Sequence, residues 1–384
     1  MSNTDEKRET VSEELLRRAV ADRFSVGDIL LVPILSVILA LILGAVTMLA
    51  TGVSVSSIGL SYVALFDGSL GSIASLSETL TAAAPLTLAG LGIALAFRAG
   101  LFNIGAEGQL LVGGMAAVGV GFAFTGLPAI IHLPLALLAG VLAGAFWASI
   151  AGWLKAATGA HEVITTIMLN LTAFRLVDYL LRNPPFQKAG RADPISESVL
   201  STAELPRLLF AFDPNLRLHA GVLLALAAVF FIYWLLFRTT IGFEFRSAGA
   251  NPDAARYAGM KSGLIIVLVM AVAGGLAGLA GANQVLGVLG RASPGFGGGI
   301  GFDAIAVALL GRSHPIGVLL AGLLFGALEA GGRQMQVDAG VSIDLISIIQ
   351  ALIIVFMAAP MLVRAIVPWV FRSGGADKAT GIGG

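Results

Sequence analysis

The chain has 384 residues, of which 57% are hydrophobic and 12% are charged, and its formal net charge is zero. Soluble domains carry about 25% charged residues, so the composition excludes a water-soluble globular protein, a disordered chain and a nucleic-acid binder with a basic face. The lack of cysteine excludes a disulfide scaffold and thiolate chemistry. The 49 glycines favour a bundle whose helices approach closely.

Residues 1–28 are highly charged and are predicted to form a solvated cytoplasmic segment. The apolar run 29–50 follows. It is too long for the apolar region of a signal peptide and long enough to cross a membrane. We therefore expect it to be the first spanning helix.

Six long segments lack Asp, Glu, Lys and Arg, and about 20 apolar residues suffice to cross the hydrocarbon core. A further apolar stretch, 55–66, is too short to span and is interpreted as a surface or re-entrant piece. The sequence predicts an all-α integral membrane protein with about ten transmembrane helices, some of them discontinuous. The predicted spans are 29–50, 79–97, 108–124, 134–154, 162–182, 218–237, 263–286, 301–311, 316–333 and 345–369.

Ten spans place both termini on one side of the membrane. The loop 238–262 and the C-terminal end share that side and carry basic residues, so the positive-inside rule places them in the cytoplasm. We expect 183–217 to be an extracytoplasmic loop, 29–371 to form the transmembrane domain and 372–384 to be a flexible tail. The predicted location is the cytoplasmic membrane.

Two glycine-bearing turns, at 101–109 and 296–304, each lead through a carboxylate into a helix of small residues. The second helix has about ten residues and covers half a membrane. Interrupted segments at matching positions in two halves indicate a transporter's substrate path. Alternatively, these polar residues only cap helices or form structural hydrogen bonds. The candidate path residues are Asn103, Glu107, Gln109, Asp303, Phe102, Phe296, Asn170 and Gln284.

A short helix is predicted inside the loop 238–262. Asn251 can cap its first N–H groups, Pro252 fits its first position and Gly259 can end it. A rigid helix there fits a groove on a cytoplasmic partner, although an ordinary capped loop helix has the same pattern. The candidate contact residues are Gly249, Asn251, Pro252, Asp253, Ala254, Ala255, Arg256 and Gly259.

Nothing in the sequence indicates covalent catalysis. The four histidines are scattered without metal-ligand spacing, and the chain contains neither G-x-S-x-G nor the phosphate-binding G-x-x-x-x-G-K-[ST]. We predict no catalytic residue, no metal site and no cofactor.

Four runs carry a family resemblance: FRAGLFNIGAEGQLLVGG at 97–114, HEVITTIMLN at 161–170, GANPDAARYAGM at 249–260 and FDAIAVALLGRSHPIGV at 302–318. Together they resemble permease subunits of bacterial ABC importers, in the family that handles branched-chain amino acids, ribose-type sugars and nucleosides. The first two runs are most similar to the nucleoside branch. The resemblance covers roughly residues 29–370.

The resemblance implies an ABC importer permease that carries a nucleoside by alternating access. It also implies three protein partners: a separate cytoplasmic ATPase that docks on the Asn251 helix, an extracytoplasmic substrate-binding lipoprotein, and a second, paralogous permease. The chain itself would be no enzyme; it would contact membrane lipid and no nucleic acid. One alternative is an importer of simple sugars or branched-chain amino acids. Another is an ion-coupled secondary transporter acting alone.

Overall fold

The computed structural model describes residues 26–342, 344–358 and 366–367. The predicted charged segment up to position 25 and the predicted tail 372–384 lie outside the described residues, as does most of the last predicted span beyond 358. Within the described residues every regular element is a helix, which confirms the all-α prediction.

Thirteen α-helices and one π-helix occur in the described residues. They are α1 (Val26–Ala50), α2 (Val55–Leu70), α3 (Ile73–Arg98), α4 (Ala106–Ala123), α5 (Ala129–Thr158), α6 (Glu162–Leu181), α7 (Gly221–Arg238), α8 (Thr240–Ala250), α9 (Pro252–Tyr257), α10 (Ser262–Asn283), π1 (Gln284–Leu289), α11 (Ile300–Leu310), α12 (Pro315–Ala339) and α13 (Asp344–Ala358). The described residues divide into two compact units, Leu49–Ser347 in one and 26–48 with 348–358 and 366–367 in the other. The first unit contains every site described below.

Seven helices among the described residues are long and apolar enough to cross a membrane: α3, α4, α5, α6, α7, α10 with π1, and α12. They match seven of the ten predicted spans. The predicted half-length helix at 301–311 is α11, which has 11 residues. The first and last predicted spans correspond to α1 and α13, whose described apolar parts are shorter, Ile34–Ala50 and Asp344–Phe356.

The stretch 55–66, predicted to be too short to span, lies within α2, a 16-residue helix that packs along α12 on one face and is exposed on the other. Leu65 lies against Gly331, where an added Cβ would stand 2.1 Å from the Leu65 carbonyl oxygen. The prediction stopped at 66 because Asp67 ends the charge-free run, whereas the helix continues through Asp67 to its last turn.

The central helix of the unit is α3. Every residue from 81 to 96 is buried, as expected for a helix that is apolar on all faces. Its start is fixed by Ser72, whose hydroxyl accepts a hydrogen bond from the Ser75 N–H at 3.0 Å. Helices α10, α11 and α12 pack around it.

Helices α5 and α10 pack through glycines spaced four residues apart. A Cβ at Gly144 would lie 2.3 Å from the Gly274 carbonyl oxygen, and one at Gly278 would lie 2.2 Å from the Gly140 carbonyl oxygen. Small residues at this spacing let the backbones of membrane helices approach closely. The high glycine content therefore has the packing role that the composition indicates.

The two ends of the bundle differ. We call the end that carries residues 182–220 the long-loop side, and the opposite end, which carries α8 and α9, the short-helix side. The long loop covers its end of the bundle through backbone hydrogen bonds, including those from Val199 N–H to the Gly290 carbonyl and from Leu200 N–H to the Gly121 carbonyl, both 2.9 Å.

Candidate functional site

Asn103, Gln109 and Asn170 form a buried amide cluster at the start of α4. The Asn103 and Gln109 amides bond to each other twice, at 3.0 and 2.9 Å. Asn170 on α6 accepts from the Gly108 N–H and donates to the Ile104 carbonyl, both at 2.9 Å. The structure thus brings three candidate path residues together and bonds them within the protein. Their contact with a substrate stays a prediction.

Glu107 joins the start of α4 to the start of α11. Its carboxylate accepts hydrogen bonds from the N–H groups of Gly301, at 2.7 Å, and Gly299, at 3.3 Å. Such groups at a helix start lack intrahelical partners and carry partial positive charge. Gly301 has no room for a side chain, since a Cβ there would lie 2.2 Å from the Glu107 nitrogen. The two glycine-bearing turns therefore meet, and Glu107 caps α11 rather than its own helix.

The two candidate aromatic residues pack on different parts of the bundle. Phe296 is buried against α4, where a Cβ at Gly114 would touch its ring at 2.6 Å. Phe102 is 55% exposed, and its ring centre lies 4.9 Å from that of Phe97. The Phe102 N–H donates to the Glu162 carboxylate at 3.3 Å, which places this residue near the short-helix side.

A charged cavity lies on the long-loop side between α3, π1 and α12. It has two adjoining parts of about 210 and 610 Å³, which share Glu78, Arg217 and Arg333. Glu329 and the candidate path residue Gln284 line the smaller part. Gln284 is the first residue of π1, and π-helical turns within α-helices occur frequently at functional sites. We call this pair of spaces the charged cavity.

Ion pairs link three elements across the charged cavity. Glu78 on α3 bonds to Arg217, in the loop before α7, at 3.3 Å and to Arg333 on α12 at 3.4 Å. Arg333 also bonds to Glu329, one turn earlier on α12. Exposed pairs of this kind contribute about 0–1 kcal/mol each. Stability alone is therefore a weak reason for four charges at this end of an apolar bundle.

Several oxygens of the charged cavity have unused hydrogen-bonding capacity. Both guanidinium groups bind the same oxygen of Glu78, Oε2, and Oε1 has no partner among the described residues. In the same part of the chain, Oε2 of Glu329 and the side chain of Gln284 also make no hydrogen bond. Asp303 on α11 is exposed, likewise makes no side-chain hydrogen bond to a described residue, and is an electrostatic neighbour of Glu329.

Glu78, Arg217 and Arg333 were not predicted from the sequence. Each of these charges borders an apolar segment, where a charged residue is common. Glu78 is the last charge before the charge-free run 79–97, and Arg217 is the last before 218–237. Both spans begin on the long-loop side, so the two charges lie at the same end of the bundle. Their pairing depends on how the helices pack.

On the short-helix side, α9 has the predicted caps. The Asn251 side chain accepts hydrogen bonds from the N–H groups of Asp253, at 3.1 Å, and Ala254, at 3.0 Å. Pro252 is the first helical residue, and Gly259 has a φ of +84°, which favours glycine. The predicted short helix is confirmed; its role in binding a partner stays a prediction.

Most of α9 faces outward. Ala255 is its buried residue, whereas Arg256 and the other candidate contact residues in the helix are exposed. Tyr257, which ends the helix, is 94% exposed. Tyrosine is enriched among the residues that dominate protein–protein binding energies. The pattern of caps does not single out Tyr257, and it was not among the predicted residues.

The end of α3 connects α8 with the turn before α12. Arg98 donates from Nε to the Ser313 carbonyl at 2.9 Å. The guanidinium carbons of Arg98 and Arg246 lie 5.7 and 5.3 Å from the centre of the Phe237 ring. Gly249, at the end of α8, contacts α3 closely, since a Cβ there would lie 2.2 Å from the Arg98 carbonyl oxygen. A movement of α8 would therefore reach α3 directly.

The turn between α11 and α12 is strained. Arg312 and Ser313 have φ values of 52° and 51°, in the left-handed region that residues other than glycine rarely adopt. Such conformations cost about 1–3 kcal/mol each. His314 follows, and its burial and the nearby Arg98 lower its pKa. Both effects favour the uncharged form of the ring.

Comparison with known proteins follows the same regions. Residues 75–358 match the family model described as "Branched-chain amino acid transport system / permease component". This range contains all the candidate path and contact residues. The chain belongs to this permease family. No solved structure matches the permease.

Three relatives match most of the permease. The guanosine ABC transporter permease protein NupP of Bacillus subtilis is 43% identical over 90% of this chain and 97% of the relative. The glucose ABC transporter permease protein TsgB13 of Haloferax volcanii is 40% identical over 85% and 86%. The nucleoside ABC transporter permease protein NupB of Lactococcus lactis subsp. cremoris is 35% identical over 88% and 93%. The Bacillus and Lactococcus transporters each contribute a second, more distant relative, the permease proteins NupQ and NupC.

Proposed function

We propose that this permease is the transmembrane subunit of an ATP-driven importer that carries nucleosides across the cytoplasmic membrane by alternating access. The observation that carries the proposal is the 43% identity to a guanosine permease over nearly the whole of both chains. A nucleoside permease at 35% identity supports the same substrate class. ATP hydrolysis belongs to a separate subunit, and a lipoprotein delivers the nucleoside from outside.

The short-helix side is the cytoplasmic side in this proposal. The loop 238–262 carries four basic residues against two acidic ones, which supports this orientation under the positive-inside rule. Both termini then lie in the cytoplasm, and the long loop faces the binding lipoprotein.

The ATPase moves the permease through α9 in this mechanism. Its exposed face docks in a groove of the ATPase, and the rigid caps at Asn251 transmit the displacement into α8. The contact of Gly249 with the Arg98 carbonyl and the contacts of Arg98 and Arg246 with Phe237 carry it to α3. The bundle then changes between outward- and inward-facing states.

The nucleoside enters from the charged cavity and passes Gln284 and Asp303. A carboxylate exposed to lipid costs about 2.5–3.5 kcal/mol at the membrane centre. The exposure of Asp303 on a half-length helix therefore favours contact with water or protein. We place the second permease against this face. Asn103, Glu107, Gln109 and Asn170 shape the wall of the path, and Phe102 and Phe296 are the candidate base contacts.

The substrate is tested by uptake in proteoliposomes that contain the permease with its second permease, ATPase and lipoprotein. Radiolabelled guanosine should accumulate only when ATP is supplied, and unlabelled uridine or adenosine should compete while leucine does not. Accumulation of leucine without guanosine would refute a nucleoside importer.

An importer of simple sugars is the second candidate, because the glucose permease relative is 40% identical. The same vesicles separate the two. Glucose or ribose that abolishes labelled guanosine uptake, or that accumulates in its place, would favour the sugar importer.

A further inference from the structure

We propose that the charged cavity binds the ribose of the transported nucleoside, with Glu78 and Glu329 accepting hydrogen bonds from its adjacent hydroxyl groups. This inference rests on the proposed function and names the contact that the outward-facing site makes with its substrate. Neither glutamate is among the path residues that the sequence singled out.

The arrangement of the two carboxylates carries the argument. Nη1 of Arg333 bonds to Glu78 and Nη2 bonds to Glu329, so one guanidinium group holds both carboxylates next to each other. The two glutamates come from different helices, α3 and α12. Arg217 gives Glu78 a second positive partner, which offsets the repulsion between the two negative charges.

The remaining acceptors fit neighbouring hydroxyl donors. An ionised carboxylate accepts hydrogen bonds and donates none. Oε1 of Glu78 and Oε2 of Glu329 have no partner among the described residues, and both residues line the cavity. Two adjacent hydroxyl groups of a ribose supply two donors, one for each of these oxygens. The amide of Gln284 in the same cavity can bind a base edge.

Four carboxylates, those of Asp67, Glu78, Glu329 and Asp338, line the charged cavity against the two guanidinium groups of Arg217 and Arg333, so the cavity favours hydroxyl donors and disfavours an anionic ligand. The ionised carboxylates favour a ligand with hydroxyl donors over one with apolar groups at these positions. A hydrogen bond to an ionised acceptor is roughly twice as strong as one between neutral groups. A ligand without the hydroxyl groups would displace water from Oε1 of Glu78 and Oε2 of Glu329 and supply no donor to either oxygen. The cavity therefore selects ribonucleosides over their deoxy analogues.

The test uses the fact that the chain contains no cysteine. Ser75→Cys places a thiol in the larger part of the charged cavity, one helical turn from Glu78 on the same face of α3. A charged methanethiosulfonate reagent labels it in the complete transporter in proteoliposomes. We expect saturating guanosine to slow labelling at least threefold and 2′,3′-dideoxyguanosine to leave the rate unchanged.

Variants identify the groups responsible. Glu78→Gln or Glu329→Gln in the Ser75→Cys background should abolish protection by guanosine. Asp178→Asn is the matched control. Asp178 and Arg182 also form an ion pair four residues apart, and both acids, Asp178 and Glu329, have side chains that are 41% exposed. This variant should keep full protection. Ser201→Cys, in a separate cavity of about 770 Å³ on the same side, should show none.

Three results would overturn the inference: no protection in vesicles that take up guanosine, equal protection by guanosine and its dideoxy analogue, or protection that survives both glutamate variants. Copurification with the second permease shows whether each variant is assembled, and the two variants are read independently. Guanosine uptake by the same vesicles separates the two proposals. Uptake without protection refutes the ribose site and leaves the importer, whereas glucose or leucine uptake without guanosine uptake refutes the nucleoside importer itself.

Discussion

Glu107 shows how a single residue can join two half-length elements of this bundle. It is buried, yet its two oxygens accept bonds from the Gly299 and Gly301 N–H groups of a helix that begins nearly 200 residues later in the chain. Without it the Gly301 N–H would be buried and unpaired, at about 1–3 kcal/mol, and the partly buried Gly299 N–H would lose its acceptor. The carboxylate is therefore primarily a cap for α11, whatever contact it makes with a substrate.

Two substitutions of Glu107 should lower the free energy of unfolding by different amounts. Glu107→Gln keeps an acceptor oxygen but loses the charge and should cost about 1 kcal/mol, whereas Glu107→Ala leaves two donors unpaired and should cost about 2–4 kcal/mol. The free energy of unfolding in detergent measures both. Glu197→Gln is the control: Glu197 also accepts a backbone N–H, from Ala189 at 3.0 Å, but in the exposed long loop. Equal losses in the two positions would contradict the capping role.

At the scale of residues, the sequence predicts local chemistry well and distant pairing poorly. The caps of α9 depend on neighbours within three positions, so Asn251 and Pro252 are readable from the sequence. The hydrogen-bonding partners of Glu107 and Glu78 lie between 139 and 255 positions away along the chain. No local pattern identifies partners at such separations.

At the scale of helices, the close contact between α5 and α10 depends on glycines, which have no side chains. Gly278→Ala would place a Cβ 2.2 Å from a carbonyl oxygen of α5, so the helices must separate, at a cost of about 1–3 kcal/mol. Gly263→Ala is the matched control on the same helix, because its nearest neighbour would be 3.6 Å away. It should be neutral. Thermal unfolding in detergent compares the two, and an unchanged midpoint for Gly278→Ala would contradict the close packing.

The α9 helix yields a prediction about the ATPase. Tyr257→Ala should weaken binding of the ATPase about tenfold or more, because exposed aromatic anchors dominate such interfaces. Tyr179→Ala is the control, since Tyr179 is 63% exposed on the long-loop side. Copurification and ATP hydrolysis by the assembled transporter give the readouts. Full association of the Tyr257 variant would show that the partner binds elsewhere.

Helix lengths could be predicted where apolar runs have clear ends. The short α11 follows from Gly299 and Gly311 on either side of its apolar residues. The extent of α2 could not be predicted, because Asp67 at its last turn has the same composition signal as a loop residue. The π-helical turn at Gln284 has no sequence signal at all, since it depends on the hydrogen-bond pattern that packing selects.

The source of energy is a property of the whole molecule. Vesicles that contain the two permeases and the lipoprotein without the ATPase should not accumulate guanosine under a proton or sodium gradient. Addition of the ATPase and ATP should start uptake, and the Tyr257→Ala permease should reduce it. Gradient-driven accumulation by the permease alone would instead support an ion-coupled secondary transporter.

The architecture as a whole was accessible from the sequence, whereas the cavity was not. Charge-free segments of membrane length reflect the apolar solvent and coincide with five of the seven spans, α3, α4, α5, α7 and α10, whereas α6 and α12 contain charged residues. The charged cavity arises where the start of α3, the C-terminal half of α12 and the loop before α7 converge, and this convergence is decided by helix packing. The sequence therefore selected Gln284 and Asp303 from their positions within spans, but not the ion pairs beside Gln284.

The left-handed residues Arg312 and Ser313 have a consequence for the timing of the transport cycle. They hold α11 and α12 in a joint that the bond from Arg98 helps to maintain. Loss of that hydrogen bond would allow the strained turn to relax spontaneously, without ATP. ATP would then be required to restore the strained turn rather than to relax it. In the Ser313→Gly variant the two conformations of the turn would be more equally populated than in the native chain.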